Sequence, residues 1–213
     1  MRPQVATIIL MEQQIKTWLG SGSINLFGLP YAGKDTQAQK LAEKLNATVL
    51  GGGEILRNSV IPPHVKEVME AGDLIPTPDY IAIVLPYLGR QELAGQPLIL
   101  SSVGRWHGEE DGVMQATEQS GHPIKAVIFL NIDETILRQR WEYAQSAGTR
   151  GERADDAEEK LATRLAEFRE KTLPVIEYYR QKGLLIEVDG SQDVETVNKQ
   201  IFEKLTSLAS ATQ

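Results

Sequence analysis

The chain has 213 residues, 41% of them hydrophobic and 24% charged, with no cysteine and a formal net charge of −7. That length suits one α/β domain with a small insertion, while the lack of cysteine excludes disulfides and cysteine-ligated zinc, so zinc is not expected. The acidic balance argues against a nucleic-acid partner, and the absence of an apolar run of roughly 18 residues or of a small-residue cleavage site predicts a cytoplasmic protein without a membrane span.

Residues 4–19 place Val5, Ile8, Ile9, Ile15, Trp18 and Leu19 at loosely helical spacing before a Gly-Ser-Gly-Ser stop. This predicts an N-terminal helical extension, residues 1–20, added to a core of residues 21–213. The apolar run SINLFGLP (23–30) reads as a buried strand, and KDTQAQKLAEKLN (34–46) as a helix burying Ala38, Leu41, Ala42 and Leu45. Further strands are predicted at 97–102, 124–132 and 183–190. Helices are predicted near 54–60, 64–71, 79–94, 109–120, 134–146, 157–182 and 191–208. Strands alternating with helices imply a three-layer α/β/α fold around a parallel sheet.

Between the first core strand and its helix lies GLPYAGKDTQ (28–37). Glycine, four residues, then Gly-Lys is the pattern of a phosphate-binding loop, whose backbone N–H groups and helix N-terminus attract polyanions. Gly28 and Gly33 permit close backbone approach, Tyr31 and Ala32 lie within the loop, and Lys34 can reach terminal phosphates. Asp35 stands where such loops usually carry a hydroxyl, and Thr36 follows it. Two roles are open for Asp35: capping the helix N-terminus, or helping to hold a Mg²⁺ that offsets phosphate charge.

The stretch GLPYAGKDTQAQKLAEKL is similar to the opening of adenylate kinases, in which one residue also separates the loop lysine from the threonine. Other blocks resemble that family in order. GGEILRNS supplies Gly52 and a first monophosphate-binding arginine, Arg57. MEAGDLIPTPDYI supplies the Gly72–Pro76 turn with Leu74 and Ile75. LILSSVGRW supplies a second monophosphate arginine, Arg105, and RADDAEEKLATRLAEF a short lid with Arg153 and Arg164. The resemblance implies a phosphate-loop kinase core with a monophosphate-binding insertion, about 51–80, and a lid, about 142–156. It also implies that Lys34, Arg105, Arg153 and Arg164 serve catalysis. Gly28, Tyr31, Ala32, Gly33, Lys34, Asp35, Thr36 and Arg140 would bind ATP. Gly52, Arg57, Leu74, Ile75, Arg105 and Glu109 would bind the monophosphate. Arginine suits these tasks because its planar fork grips phosphate oxygens two at a time. Asp155 and Asp156 fit helix capping as well as lid closure.

Four departures from the pattern stand out. The strand-end aspartate that organises the Mg²⁺ water shell is Ser101, which motivates assigning the metal to Asp35 with Thr36 beside it. The Phe-Pro before the clamp arginine is Val103-Gly104. In the acceptor-base pocket, Gly52 replaces a threonine, and Glu109 or Glu110 stands near a base-reading glutamine; a carboxylate only accepts hydrogen bonds, which suits guanine. Ala144 takes the place of another arginine, whose charge Arg150 could supply. The expectation is a monomeric, Mg²⁺-dependent enzyme acting on small-molecule nucleotides and transferring the ATP γ-phosphoryl group to AMP. GMP, CMP, UMP or another small acceptor is the alternative, as is a non-catalytic nucleotide-binding regulator. His64, His107 and His122 read as ordinary polar residues. Trp18, Trp106 and Trp141 read as packing, with Trp106 the exception for its place beside Arg105.

Overall fold

The computed structural model describes residues 3–71, 75–147 and 158–211. In chain order these form α1 (Pro3–Leu19), β1 (Ser23–Gly28), α2 (Lys34–Leu45), β2 (Thr48–Gly51), α3 (Gly52–Asn58), α4 (Pro63–Ala71) and α5 (Thr77–Leu88). Then come β3 (Leu98–Ser101), α6 (Glu110–Gln119), β4 (Ile124–Asn131), α7 (Glu134–Ala147), α8 (Glu158–Glu167), α9 (Leu173–Gln181), β5 (Leu185–Asp189) and α10 (Val194–Ala211). Among the described residues the strands make one five-stranded sheet, order β2-β3-β1-β4-β5, with every pairing parallel. All of β1 is buried and so is most of β4, as expected for strands covered on both faces.

Right-handed crossovers decide which face each helix takes. The connection from β1 to β2 runs one way along the sheet, and the later connections run the other way. Thus α2, α10 and α1 pack together on one face, while α5, α6 and α9 lie on the other, with α6 against β4 and α9 against β5. The result is the expected three-layer α/β arrangement. The direction reverses beside β1, and crevices at such reversals, beyond the strand C-termini, are where open α/β sheets bind ligands. Gly28 and Ser101, the last residues of β1 and β3, both open onto this crevice.

Several predicted boundaries shift. The strand β2 was not expected; it is four residues long with Leu50 alone buried. The helix predicted over 157–182 is broken by a π turn at 168–172, before Pro174, which cannot donate the hydrogen bond that would continue α8 regularly. The helix predicted over 79–94 starts earlier, at Thr77, and stops at Leu88 before Gly89. Instead of residue 191, α10 begins at Val194, because the Asp193 carboxylate accepts the backbone N–H groups of Glu195 and Thr196 at 3.0 Å each. In α1, Ile15 and Leu19 are buried, yet Ile9, expected on the same apolar face, is half exposed. The side chains of Val5 and Ile8 lie outside the described residues. Gln14 of α1 donates to Ser210 of α10 at 2.7 Å. Among the described residues, no helix is long and apolar enough to cross a membrane.

Candidate active site

At the end of β1 the chain must pass close to β4. A Cβ on Gly28 would lie 2.8 Å from the Leu130 carbonyl oxygen, so only glycine fits. Tyr31 (φ 62°) and Gly33 (φ 91°) take left-handed conformations, which curl the loop before α2 starts at Lys34. Backbone of this kind gathers N–H groups into an anion-binding concavity at a helix N-terminus. Lys34 Nζ donates to the carbonyls of Gly28 and Leu29, both at 2.9 Å, which holds the ammonium over the loop.

Three predicted cations converge here. Lys34 from α2, Arg105 from the β3–α6 loop and Arg164 from α8 line one cavity of about 50 Å³, together with Gly28, Pro30 and Glu167. Such a small, strongly positive space suits a phosphoryl group. Arg57 is exposed on α3, with its guanidinium over Gly53, and does not line this cavity. Leu74, Arg150, Arg153, Asp155 and Asp156 lie outside the described residues. Of the expected lid, residues 142–147 belong to α7, and the remainder also lies outside them.

A second cavity, about 300 Å³, adjoins the first and shares Ser102, Arg105 and Trp106 with it. Gly52, Leu56, Ile75, Tyr80 and Glu109 line much of the remainder. Glu109 is only 7% exposed and accepts the Trp106 N–H at 3.2 Å. Burial pushes its carboxyl up to about 7, against the lowering pull of that N–H and of Arg105, with Glu110 adding to the rise. Glu110 is engaged elsewhere: it accepts the Gly108 N–H and pairs with His107 Nδ1 at 2.8 Å. Burial likewise raises the Tyr80 hydroxyl pKa well above its ordinary value.

Two of the sequence departures prove to be linked through the β3–α6 loop. Ser102 (φ 54°) and Gly104 (φ 64°) both adopt left-handed conformations, and the described peptide bonds are all trans. The first of these turns brings the Ser102 carbonyl so near α3 that a Cβ on Gly52 would lie 2.6 Å from it. A threonine therefore does not fit at residue 52 beside this loop. At Gly104 a Cβ would meet Val113 Cγ2 at 2.2 Å. Buried Asn25 fixes the path: its Nδ2 donates to the Val103 carbonyl at 2.8 Å, and its Oδ1 accepts the Val103 N–H at 3.3 Å.

On the other side of the phosphate loop, a cavity of about 420 Å³ is lined by Tyr31, Ala32, Gly33, Thr36, Arg140 and Ala144, among others. The Arg140 guanidinium donates to the carbonyls of Tyr31, Gly190, Ser191 and Gln192 at 2.8–3.3 Å. These bonds lie in the guanidinium plane, so what Arg140 can offer a base is its flat face.

Asp35 is exposed in the first turn of α2 and accepts a hydrogen bond from Ser101 Oγ at 3.2 Å. The N-cap of this helix is Gly33, which has no side chain to cap it. The carboxylate thus reaches the very strand end where the family pattern has its aspartate. Carboxylate and hydroxyl oxygens suit a hard cation such as Mg²⁺, which usually takes one or two protein ligands and completes its shell with phosphates and water. Among the described residues no cluster of three or more His, Cys, Asp or Glu could hold a metal on its own.

Sequence reading missed the tie between the acceptor side and the root of α8. Lys171, in the π turn, places its ammonium 4.0 Å from the Trp106 ring centroid, and its carbonyl accepts the His107 N–H at 2.8 Å. The position of Trp106 beside Arg105 was the one signal available.

Comparison with known proteins agrees with this geometry. The family model described as adenylate kinase matches residues 26–184. An adenylate kinase of Chelativorans sp. is 38% identical over 185 residues, covering 83% of this chain and 94% of the relative. Those of Nitrobacter hamburgensis and Chloroherpeton thalassium are 35% and 30% identical, covering 84% and 86% of this chain and 90% and 98% of the relatives. With a phosphate loop and three cations gathered around one cavity, and with likeness extending over most of its length, the chain belongs to the adenylate kinase family of phosphotransferases.

Proposed function

We propose that the chain transfers the γ-phosphoryl group of ATP to AMP, producing two ADP. The observation that carries this reading is the shared wall of the two adjoining cavities: Arg105 serves both the phosphoryl-sized space beside Lys34 and the base-sized space beside Glu109. An acceptor phosphate bound by Arg105 would lie between its own base and the donor phosphates.

In the reaction, an oxygen of the acceptor phosphate attacks the γ-phosphorus as the bond to the β,γ-bridging oxygen breaks, in line and without a covalent enzyme intermediate. Lys34 neutralises charge at the end of the phosphate loop, Arg105 orients the acceptor, and Arg164 faces the transferring group. Arg57 and Arg153 would join when the insertion (51–80) and the lid (142–156) close, excluding water so that ATP hydrolysis does not compete. Arg140, Tyr31 and Thr36 border the space for the donor base. Asp35, with Ser101 and Thr36 near it, would hold Mg²⁺, which when bound offsets the negative charge of the phosphates.

AMP as acceptor is supported by the names of the relatives. The buried Glu109 carboxyl favours a second reading, in which GMP is taken. A coupled assay for ADP production over AMP, GMP, CMP and UMP tests both; the expected result is turnover with AMP. Tight ATP binding with no turnover on any monophosphate would instead mark a regulator. For the metal, Asp35→Ala is expected to raise the Mg²⁺ concentration at half-maximal rate about 10–100-fold, read from initial rates at fixed ATP across a Mg²⁺ titration. An unchanged requirement removes Asp35 from the metal site.

A further inference from the structure

We propose that Glu109 reads the acceptor base in two protonation states, as a carboxylic acid toward adenine and as a carboxylate toward guanine, so that preference shifts from AMP toward GMP as pH rises. The inference deepens the kinase reading above and rests on it for the identity of the pocket. Its basis is the placement of a carboxyl group, nine-tenths buried, in the wall of a base-sized cavity whose shared border is Arg105. With a phosphate on Arg105, the base falls among Leu56, Ile75, Tyr80 and Glu109.

The pairing edges of the two purines differ in a way that this group can match. Adenine presents an amino donor beside a ring-nitrogen acceptor. A neutral carboxyl answers both, its O–H donating to the ring nitrogen and its carbonyl oxygen accepting from the amino group. Guanine presents a ring N–H beside an amino group, two donors that a carboxylate accepts together. Oε2 already accepts the Trp106 N–H, and each carboxylate oxygen retains capacity for another bond.

Several charged or titratable groups surround Glu109. Arg105 and Glu110 act from its own turn, Tyr80 from α5 and Tyr179 from α9. Lys171 lies against Trp106, and Arg57 lies over Gly53 on α3. Among these, burial dominates and sets the carboxyl near 7, where the proton is readily exchanged.

The test is titration calorimetry of AMP and of GMP with the full chain, in steps from about pH 5.5 to 8.5, for wild type and Glu109→Gln. The two nucleotides share the same phosphate ionisation, and neither base titrates in this range, so the ratio of their dissociation constants isolates the protein group. In wild type the ratio of the AMP to the GMP constant is expected to climb on the order of 100-fold between about pH 6 and pH 8, tenfold per unit for a single proton. In Glu109→Gln it stays flat and favours AMP. A flat wild-type ratio, an equal slope in the glutamine variant, or failure of both nucleotides to bind overturns the proposal.

Thermal melting gives a readout independent of nucleotides. The folded carboxyl holds its proton above the ordinary value of 4.5, up to about 7. The stability this lends is present below the unfolded value and is lost as pH rises through the folded one. Wild type should therefore lose stability relative to Glu109→Gln across that window. Turnover with AMP alongside a flat ratio would sink this inference alone, whereas a titrating ratio without turnover would sink only the kinase reading.

Discussion

Replacing Arg105 by alanine is expected to lower kcat/KM for the acceptor by about 10³–10⁴-fold, in the lower part of the roughly 10³–10⁵-fold that an arginine stabilising phosphoryl-transfer charge is worth. Melting should change little, because the side chain is exposed and its loss opens no cavity in the core. The large effect follows from position. Arg105 borders both cavities, so on the proposed reading the substitution would remove acceptor affinity and the alignment of the attacking oxygen together. Arg105→Lys keeps a charge but not the two-pronged grip, and should recover only a minor part of the rate. Initial rates across AMP concentrations, with a melting curve for each variant, check this. A drop below tenfold in the alanine variant would place the acceptor phosphate elsewhere.

Gly104→Ala is expected to cost about 2–5 kcal/mol of stability. Forcing a residue with a Cβ into the left-handed region costs roughly 1–2 kcal/mol, and overpacking a core contact costs about 1–3 kcal/mol. Both apply at Gly104, where φ is 64° and the new methyl would stand 2.2 Å from Val113 Cγ2. Val113 is fully buried and β-branched, so it cannot swing aside cheaply. For a chain of this size the melting temperature should fall by roughly 4–20 °C. Gly121→Ala is the control: its φ is 81°, but nothing lies within 4 Å of the added carbon. That variant carries only the backbone part. Equal melting of the two would mean that the β3–α6 loop does not approach α6 as described.

The contrast between those two glycines shows what could be read from the sequence. The phosphate loop and α2 were legible because their signals are local: glycine spacing, one lysine, and Ala38, Leu41, Ala42 and Leu45 at helical period, all four of which are buried. The order of strands and helices was legible for the same reason. Four residues at a sheet edge gave no such pattern, so β2 escaped notice, and the segment Phe168–Thr172 kept a helical appearance through its π turn. Contacts between distant residues were beyond reach. Ser101 meets Asp35 across 66 positions and Asn25 meets Val103 across 78, and no local rule announces either. Burial of Glu109 could not be told from the exposure usual for glutamate. The departures at Gly52 and Gly104 were visible as letters, yet their common cause, a loop with two left-handed turns packed against α3 and α6, is a tertiary contact that no local pattern records.

The hold of Lys171 on Trp106 and His107 has a mechanical consequence. A swing of α8 about residues 168–172 would turn at the very point where Lys171 is bound to the Trp106 loop, and so would strain or shift those contacts. On the proposed reading, closure on the donor side and alignment on the acceptor side would then be linked, each nucleotide altering the work needed to seat the other.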